Sequence, residues 1–358
     1  MLKNTKPYIS ILFANRNDNY GGDQHERIEL FIKFYSMVVK NYPDLFEFLI
    51  CDWNTPQGNQ SLEEAYDWST LGNVRHFKIS KEIHEKLCPD NSRPILDYWS
   101  RNFLARRASG QFFMIINQDI FLSSSIIKFL SEKKLSQNHF YRCDRTDFKN
   151  FGTNFSSTFD FEIKARNNAM AKHLRPPDIM LSCSIKVDKE SLDHIGTRAH
   201  PKLERVDQND KLIIGRKVHF LKAIDIIRSK LSLVFGRKIL PPIDQSFYKK
   251  YLLHTNASGD FIIISRKAFF KVRGFPESYQ FYMHTDSYMC AQLFAAGFTQ
   301  VIFDYPHEVY HNDHSRLDRE ARPESMSYKD HAVIFAKMIL GKKSYKINSR
   351  NWGLKDLS

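Results

Sequence analysis

Apolar and polar positions fall into blocks of two kinds along this chain. Tyr8–Ala14 is a short run rich in β-branched and aromatic residues, which predicts a strand. Glu26–Asn41 places Ile28, Phe31, Tyr35 and Val38 on one side at helical spacing. Phe46–Cys51 and Val74–Ile79 read as further strands, and Leu96–Ala108 reads as a helix. Gly110 and Gln111 then feed the apolar run Phe112–Ile116, short and bounded enough for a strand buried on both faces. Strands alternating with helices imply βαβ units and a mostly parallel sheet, so the expected class is α/β.

The second half of the chain is less regular. His139–Asp144 predicts a strand, Phe148–Lys172 has no pattern to assign, and Asp188–Gln208 is polar enough for a loop or insertion. Asp260–Ser265 reads as a strand, Arg266–Val272 as a short helix and Gly274-Phe275-Pro276-Glu277 as a turn. Thr285–Ala296 reads as a helix stopped by Gly297, with Val301–Phe303 a strand and Ser327–Leu340 a closing helix.

The strand ends carry the chemistry. The first strand ends at Arg16 and Asp18, the second at Asp52, and the third of interest at Asn117-Gln118-Asp119. Ordinary polar turns account for any one of these. Three at the ends of parallel strands converge on the edge where open α/β sheets bind ligands. Asp119 would there offer its oxygens to a hard cation, or else Asn117 and Asp119 would cap the following turn.

Composition narrows the reading. At 358 residues with 42% hydrophobic and 14% aromatic content, the chain is globular with one large core or two smaller ones. Five scattered cysteines, an odd number without paired spacing, imply reduced thiols and no zinc site built on cysteine. With no signal-peptide pattern and no bilayer-length apolar run, the expectation is a cytoplasmic protein, peripheral to a membrane at most.

The formal net charge is +13, and residues 201–250 hold 12 Lys/Arg against 5 Asp/Glu. A charge that local faces an anionic partner. Within it Phe220, Leu221, Ile224, Ile227, Leu231, Val234 and Phe235 share one helical face, and Lys217, Arg228, Lys230, Arg237 and Lys238 make the segment basic. Such a helix over 217–238 either lies on an anionic membrane or packs onto the core. No nucleic-acid-binding motif accompanies the charge, so no specific nucleic acid is expected.

The order of Ile9–Asp18, Asp52, Arg101-Asn102, Ala108-Ser109-Gly110, Asn117-Gln118-Asp119, Gly274-Phe275-Pro276-Glu277, Asp286 and Gly297 resembles the GT-A fold glycosyltransferases, in particular inverting family-2-like members. The resemblance covers roughly residues 8–155 and 255–315. It departs at Asn117, where the Asp-x-Asp pattern has its first acid, and at Thr285, where an acid usually precedes Asp286. It implies a nucleotide-sugar donor bound through Ala14, Asn15, Arg16, Asp18, Asp52, Arg101, Asn117 and Gln118. A carboxylate at Asp52 would favour uracil or thymine. A divalent metal, Mn²⁺ or Mg²⁺, would sit on Asp119 with His311, and His314 is the runner-up ligand. Asp286 would be the catalytic base, with His284 as rival. With no second carboxylate in the motif, single displacement with inversion is expected.

Asn256, Ser258, Gly259 and Asp260 precede a strand and are expected to line the side of a glycan or lipid-linked acceptor. Trp99 and Trp352 offer rings on which a sugar could stack. The expected organisation is a nucleotide-sugar-binding half over 1–155, an acceptor-binding and catalytic half over 156–320 with a basic insertion near 188–250, and a C-terminal helix and tail over 321–358 that would act as a lid. The alternative is a catalytically silent nucleotide- or glycan-binding module of the same fold. No Gly-x-Gly-x-x-Gly follows the first strand, which argues against a nicotinamide-dependent dehydrogenase.

Overall fold

In β1 (Ile9–Asn15) and β2 (Phe46–Trp53) every side chain but Ala14 is buried, and odd and even positions separate cleanly between two cores. Ile9, Ile11, Phe13, Phe46, Phe48 and Ile50 face one core, whereas Leu12, Leu49, Cys51 and Trp53 face the other. That is the signature of a sheet covered on both faces. A computed structural model provides these coordinates, describing residues 6–173, 184–185, 254–255, 258–278, 285–303, 305–314, 334, 337–338 and 341–357.

The remaining strands are β3 (Val74–Ile79), β4 (Phe112–Ile115), β5 (Ile120–Leu122), β6 (His139–Cys143), β7 (Arg145–Phe148), β8 (Ala169–His173), β9 (Ser184–Ile185), β10 (Ile262–Ser265), β11 (Thr299–Phe303) and β12 (Val309–Asn312). The helices are α1 (Gln24–Asn41), α2 (Leu62–Ala65), α3 (Lys81–Leu87), α4 (Asp97–Arg107), α5 (Ser124–Ser131), α6 (Thr158–Asn167), α7 (Arg266–Val272) and α8 (Thr285–Ala295).

Eight strands form the main sheet in the order β3-β2-β1-β4-β10-β6-β11-β9. Its pairings are parallel except at β10, which runs antiparallel to both neighbours. The expected α/β class with a mostly parallel, helix-flanked sheet is therefore the one found. Residues α1 and α5 contribute cover one face, and α4, α7 and α8 cover the other. Both halves of the chain share this sheet, because β10 inserts between β4 and β6.

A second sheet, β5-β12-β7-β8, appears where the sequence pattern gave no assignment. Its strands are three to five residues long and interrupted by charges, so their period of two is hard to see. The basic insertion, the 217–238 helix and most of the predicted Ser327–Leu340 helix lie outside the described residues.

Glu47 clamps the foot of the main sheet. Its buried carboxylate accepts from Ser10 Oγ, from Ser109 N (2.6 Å) and Oγ (2.7 Å) and from Gly110 N (3.0 Å), and it pairs with Arg75 Nη2 at 3.2 Å. Gly110 is required here, since a Cβ would stand 2.6 Å from Ser10 Oγ and 2.8 Å from Ser10 N. The Ala108-Ser109-Gly110 motif thus mounts β4 and takes no part in chemistry. Burial works against the Glu47 charge, but the Ser10, Ser109 and Gly110 donors prevail and lower its pKa. A lowered folded pKa means stability that is present above the unfolded value, about 4.3, and lost as pH falls towards the folded one. Glu47→Gln should therefore cost about 1–3 kcal/mol near neutral pH. In denaturation series across pH, the gap to the wild type should close below pH ~4.

Candidate active site

Asp119 lies between β4 and β5, buried at the carboxyl edge. Its Oδ2 sits 3.3 Å from Arg27 Nη1, 3.3 Å from His314 Nε2 and 3.8 Å from His311 Nε2. Its Oδ1 is buried with no hydrogen-bond partner. Burial penalises the Asp119 charge, yet His311, His314 and Arg27 hold the carboxyl well below the usual range.

Backbone pairing brings the histidine to the acid. β12 runs parallel to β7 with His311 opposite Asp147, and antiparallel to β5 with His311 opposite Ile120. The Asn312 N–H donates to Asp119 O at 2.9 Å, extending the ladder by one rung. His311 Nδ1 meets Asp147 Oδ1 at 3.1 Å. In the neutral ring, a carboxylate on Nδ1 favours the proton there and frees Nε2 toward Asp119, the arrangement typical of metal-ligating histidines. Burial opposes protonation of His311, but Asp119, Asp147 and Asp260 outweigh it and raise its pKa.

Asp119, His311 and His314 each place a ligand atom within 4.8 Å of the others, and Asp147, His311 and Asp313 do the same. The first set fits a divalent cation. It combines an unpartnered carboxylate oxygen with a ring nitrogen oriented from behind, and two imidazoles with one carboxylate suit Mn²⁺ better than Mg²⁺. Arg27 neutralises the other oxygen of Asp119 and is itself held by Asp23 Oδ1 at 2.9 Å and by Tyr20 O.

From His311 a chain of charged contacts crosses the carboxyl edge. Arg145 Nε lies 2.8 Å from Asp147 Oδ1, and Arg145 Nη1 donates to Asp260 Oδ2. Asn117 Nδ2 donates to Asp260 Oδ1 at 3.1 Å, and Asn117 Oδ1 accepts from Arg101 Nη2 at 2.5 Å. Arg101 also reaches Gly259 O at 3.3 Å and Asp97 Oδ2 at 3.1 Å. At the far end, Ser258 Oγ donates to Asp286 Oδ2 at 2.6 Å. A Cβ on Gly259 would lie 3.5 Å from Asp286 Oδ2, so Gly259 passes close beside that carboxylate. Asp119 and Asp286 are thus two ends of one network.

The Asn117 departure acquires a physical reason. Its amide donates to Asp260 and accepts from Arg101, a pair of duties that a carboxylate cannot perform. Asn117→Asp should set two like charges together and cost about 1–3 kcal/mol. A variant with unchanged thermal stability and tighter Mn²⁺ binding would show instead that position 117 is a metal ligand.

Several expectations are revised. Arg101 is 1% exposed and spends its guanidinium on Asp97, Asn117 and Gly259, so it braces the site from within and does not reach a nucleotide. Ser258 is fully enclosed behind Asp286 and does not face an acceptor. Asp260 is held between Arg145 and Asn117. Trp352 is 4% exposed, packed on Phe269 and Phe270 with the Arg106 guanidinium 4.2 Å from its ring centre. It is a core anchor without a free face for a sugar.

The tail around Trp352 is likewise a strap. Arg106 and Arg107 donate to Trp352 O and Leu357 O, and the Gly353 N–H donates to Glu277 Oε1. Asn102 holds the Gly274 turn by donating to Phe275 O (2.8 Å) and Glu277 Oε1 (3.0 Å) while accepting from Phe275 N (2.8 Å). Gly274, at φ +72°, leaves no room for a Cβ, which would fall 2.3 Å from Asn102 Oδ1. The Arg101-Asn102 and Gly274–Glu277 motifs together mount the chain that leads to α8.

A second carboxylate stands near Asp286 from outside the motif, Asp97 on α4. Asp97 keeps 29% of its side-chain surface exposed. Burial raises its pKa against the pull of Arg101, and Asp286 and Asp260 add to the rise. Asn256 and His284 lie outside the described residues.

The remaining nucleotide-side residues gather at the ends of β1 and β2, where Asn15 pairs in register with Asp52. Gln24 pins this loop, donating to Asn15 Oδ1 (3.1 Å) and Arg16 O (2.7 Å) and accepting from Asp18 N (3.1 Å) and Asn19 N (2.7 Å). Arg16 pairs with Asp18 at 2.9 Å. Asp52 accepts from Thr55 Oγ1 and from Leu62 N at 2.9 Å, so both oxygens already serve the protein. Ala14 is half-buried at the edge, and Gln118 is buried beside Asp119. Tyr20 joins this loop to the cation end, its ring centre 5.5 Å from that of His314.

Arg27, Asp97, Arg145 and Asp147 carry no motif. Arg27 had one usable signal, a charge on the apolar stripe of α1 together with Gln24. Asp97 and Arg101 are an i,i+4 pair on α4.

No family model matches the sequence, and no curated protein matches it. A solved structure described as GalNAc-T7 with UDP, GalNAc and Mn²⁺ is similar at 12% identity and TM-score 0.45, covering 88% of this chain. The match spans 45% of that chain, so this protein corresponds to under half its length. At that level the likeness assigns no chemistry here, and the functional reading rests on the residues of this chain. Among the described residues no helix is long and apolar enough to cross a membrane.

Proposed function

We propose that this protein is a metal-dependent glycosyltransferase that moves a sugar from a nucleotide diphosphate to a hydroxyl of a glycan or lipid-linked acceptor. The observation that carries this reading is the single network joining a cation-ligand set, Asp119–His311–His314, to a carboxylate, Asp286, on one edge of the sheet. A bound Mn²⁺ or Mg²⁺ supplies Lewis-acid stabilisation of the diphosphate leaving group. Asp119, His311 and His314 hold that ion, Asp147 orients His311, and the Asn15–Asp18 loop with Asp52 and Gln118 frames the nucleoside, favouring UDP or dTDP. Asp286 takes the acceptor proton as the acceptor oxygen bonds to the anomeric carbon and the sugar–phosphate bond breaks towards the diphosphate.

Asp97 is tied to Arg101 and Asp260 to Arg145, which leaves Asp286 as the working carboxylate and favours single displacement with inversion. The competing reading is a silent binding module, favoured by Thr285 in place of the usual acid. Thermal-shift and calorimetric titrations with UDP- and dTDP-sugars, with and without Mn²⁺, test the donor site, because a ligand of the folded state raises the melting temperature. Absence of any Mn²⁺-dependent shift would end the proposal, and tighter binding of CDP or GDP would overturn the base preference. Mn²⁺-dependent release of UDP that Asp286→Asn abolishes would exclude the silent module.

A further inference from the structure

Ser258 sits fully buried behind Asp286 with a single hydroxyl hydrogen and two acceptors. Its Oγ is 2.6 Å from Asp286 Oδ2 and 2.9 Å from Thr255 O. Because the hydroxyl has one donor and two acceptor lone pairs, it serves only one of these as donor at a time.

Two sheet side chains brace the backbone beneath it. Arg142, on β6, donates to Ser258 O and to His254 O, each at 3.4 Å. Gln300, on β11, accepts from His254 N at 2.7 Å and donates to His254 O at 3.1 Å. Two strands of the main sheet thereby fix the backbone on either side of Thr255 and Ser258.

We infer that Ser258 is a positioning residue for Asp286, a swivelling hydroxyl that steadies the carboxylate when charged and keeps a partner when it is protonated. This rests on the reading of Asp286 as the base that accepts the acceptor's proton. With Asp286 ionised, the Ser258 hydrogen points at Oδ2. Once Asp286 carries the proton on Oδ2, its O–H donates to Ser258 Oγ and the serine hydrogen turns to Thr255 O. Thr255 O keeps the Ser287 Oγ donor at 3.4 Å when the serine hydrogen points at Asp286, so neither state bears the desolvation penalty of an unmade hydrogen bond. A hydrogen bond donated to a carboxylate favours its charged form.

Among the described residues, the charged and titratable groups around this pair are Asp97, Tyr98 and Arg101 from α4, Asp260 from the approach to β10, Arg142 from β6, and Cys290 from α8. A Ser258 substitution leaves all of them in place.

The test is the pH profile of Mn²⁺-supported UDP-sugar turnover or hydrolysis in Ser258→Ala, Ser258→Cys and Ser258→Thr. In Ser258→Ala the acid limb of kcat should move up by about one pH unit, with turnover near that limb down roughly tenfold. The KM for the nucleotide sugar and the affinity for Mn²⁺ should be unchanged. Ser258→Thr should restore the wild-type limb. Ser258→Cys keeps the volume with a weak donor, so it should shift the limb part-way and serves if the alanine variant does not fold. An acid limb that stays in place in the folded variants, whether or not turnover falls, would overturn the inference. Full activity in Asp286→Asn would instead defeat the reading of the base itself.

Discussion

Asp119→Asn is expected to abolish measurable Mn²⁺ binding and to lower Mn²⁺-supported turnover roughly a thousandfold, consistent with several kcal/mol of leaving-group stabilisation. The substitution removes the charge on the one site oxygen that is buried without a partner, Oδ1. It also strips the negative charge facing Arg27, whose side chain is fully enclosed. Leaving one member of a buried pair alone costs about 3–5 kcal/mol, but Arg27 keeps Asp23 Oδ1 and Tyr20 O and can donate to the asparagine oxygen, so only part of that is lost. Lower thermal stability should therefore accompany the lost binding. His311→Gln separates the two effects, since it removes the ring nitrogen and leaves Arg27 paired with Asp119. It should lose most Mn²⁺ affinity with a smaller change in melting temperature. Calorimetric titration of both apo variants with MnCl₂ is the measurement, and wild-type affinity in either would remove the cation from this site.

Asp286→Asn is expected to leave the fold, Mn²⁺ binding and nucleotide-sugar binding intact while turnover falls by roughly 10²–10⁴. The asparagine oxygen still accepts from Ser258, so no polar group behind it is orphaned. Asp97 should not rescue the reaction, because Arg101 holds it and burial raises its pKa. Single-turnover kinetics with saturating donor give the number. A loss confined to KM would assign Asp286 to binding and move the base elsewhere, with His284 the next residue to test.

Much of the fold was legible because the first half follows the rules that make patterns visible. In β1, α1, β2, β3, α4 and β4 the observed bounds fall within two residues of the predicted ones, and β1, β2 and β4 bury nearly unbroken apolar runs. The second sheet was hidden by its own chemistry. Arg145 and Asp147 occupy alternate positions of β7 and point charges into the interior, which defeats a hydrophobic alternation. In α6 the exposed Phe159 and Ile163 break the stripe that Phe161 and Ala165 would otherwise draw. The acids at the strand ends pointed to one edge of the sheet, but the cations paired with them did not announce themselves. A lone arginine is common in any sequence, and only the fold shows that Arg27, Arg101 and Arg145 are each wrapped around a carboxylate. Trp352 misled for the opposite reason, because a Trp in a basic tail gives no sign that Phe269 and Phe270 await it.

His311 is held to Asp119 by cross-strand register, and Asp119 itself adds a rung to the same ladder. A metal preference seated on His311 and on Asp119, which is tied to β12 through its carbonyl, would be inherited with the architecture, His314 being the ligand that lies past the strand. Libraries for directed evolution that randomise only the surface connections should wander among new sugars and acceptors while remaining loyal to one ion. Changing the ion would take substitutions on the strands, made in compensating pairs, because each charge there already answers another.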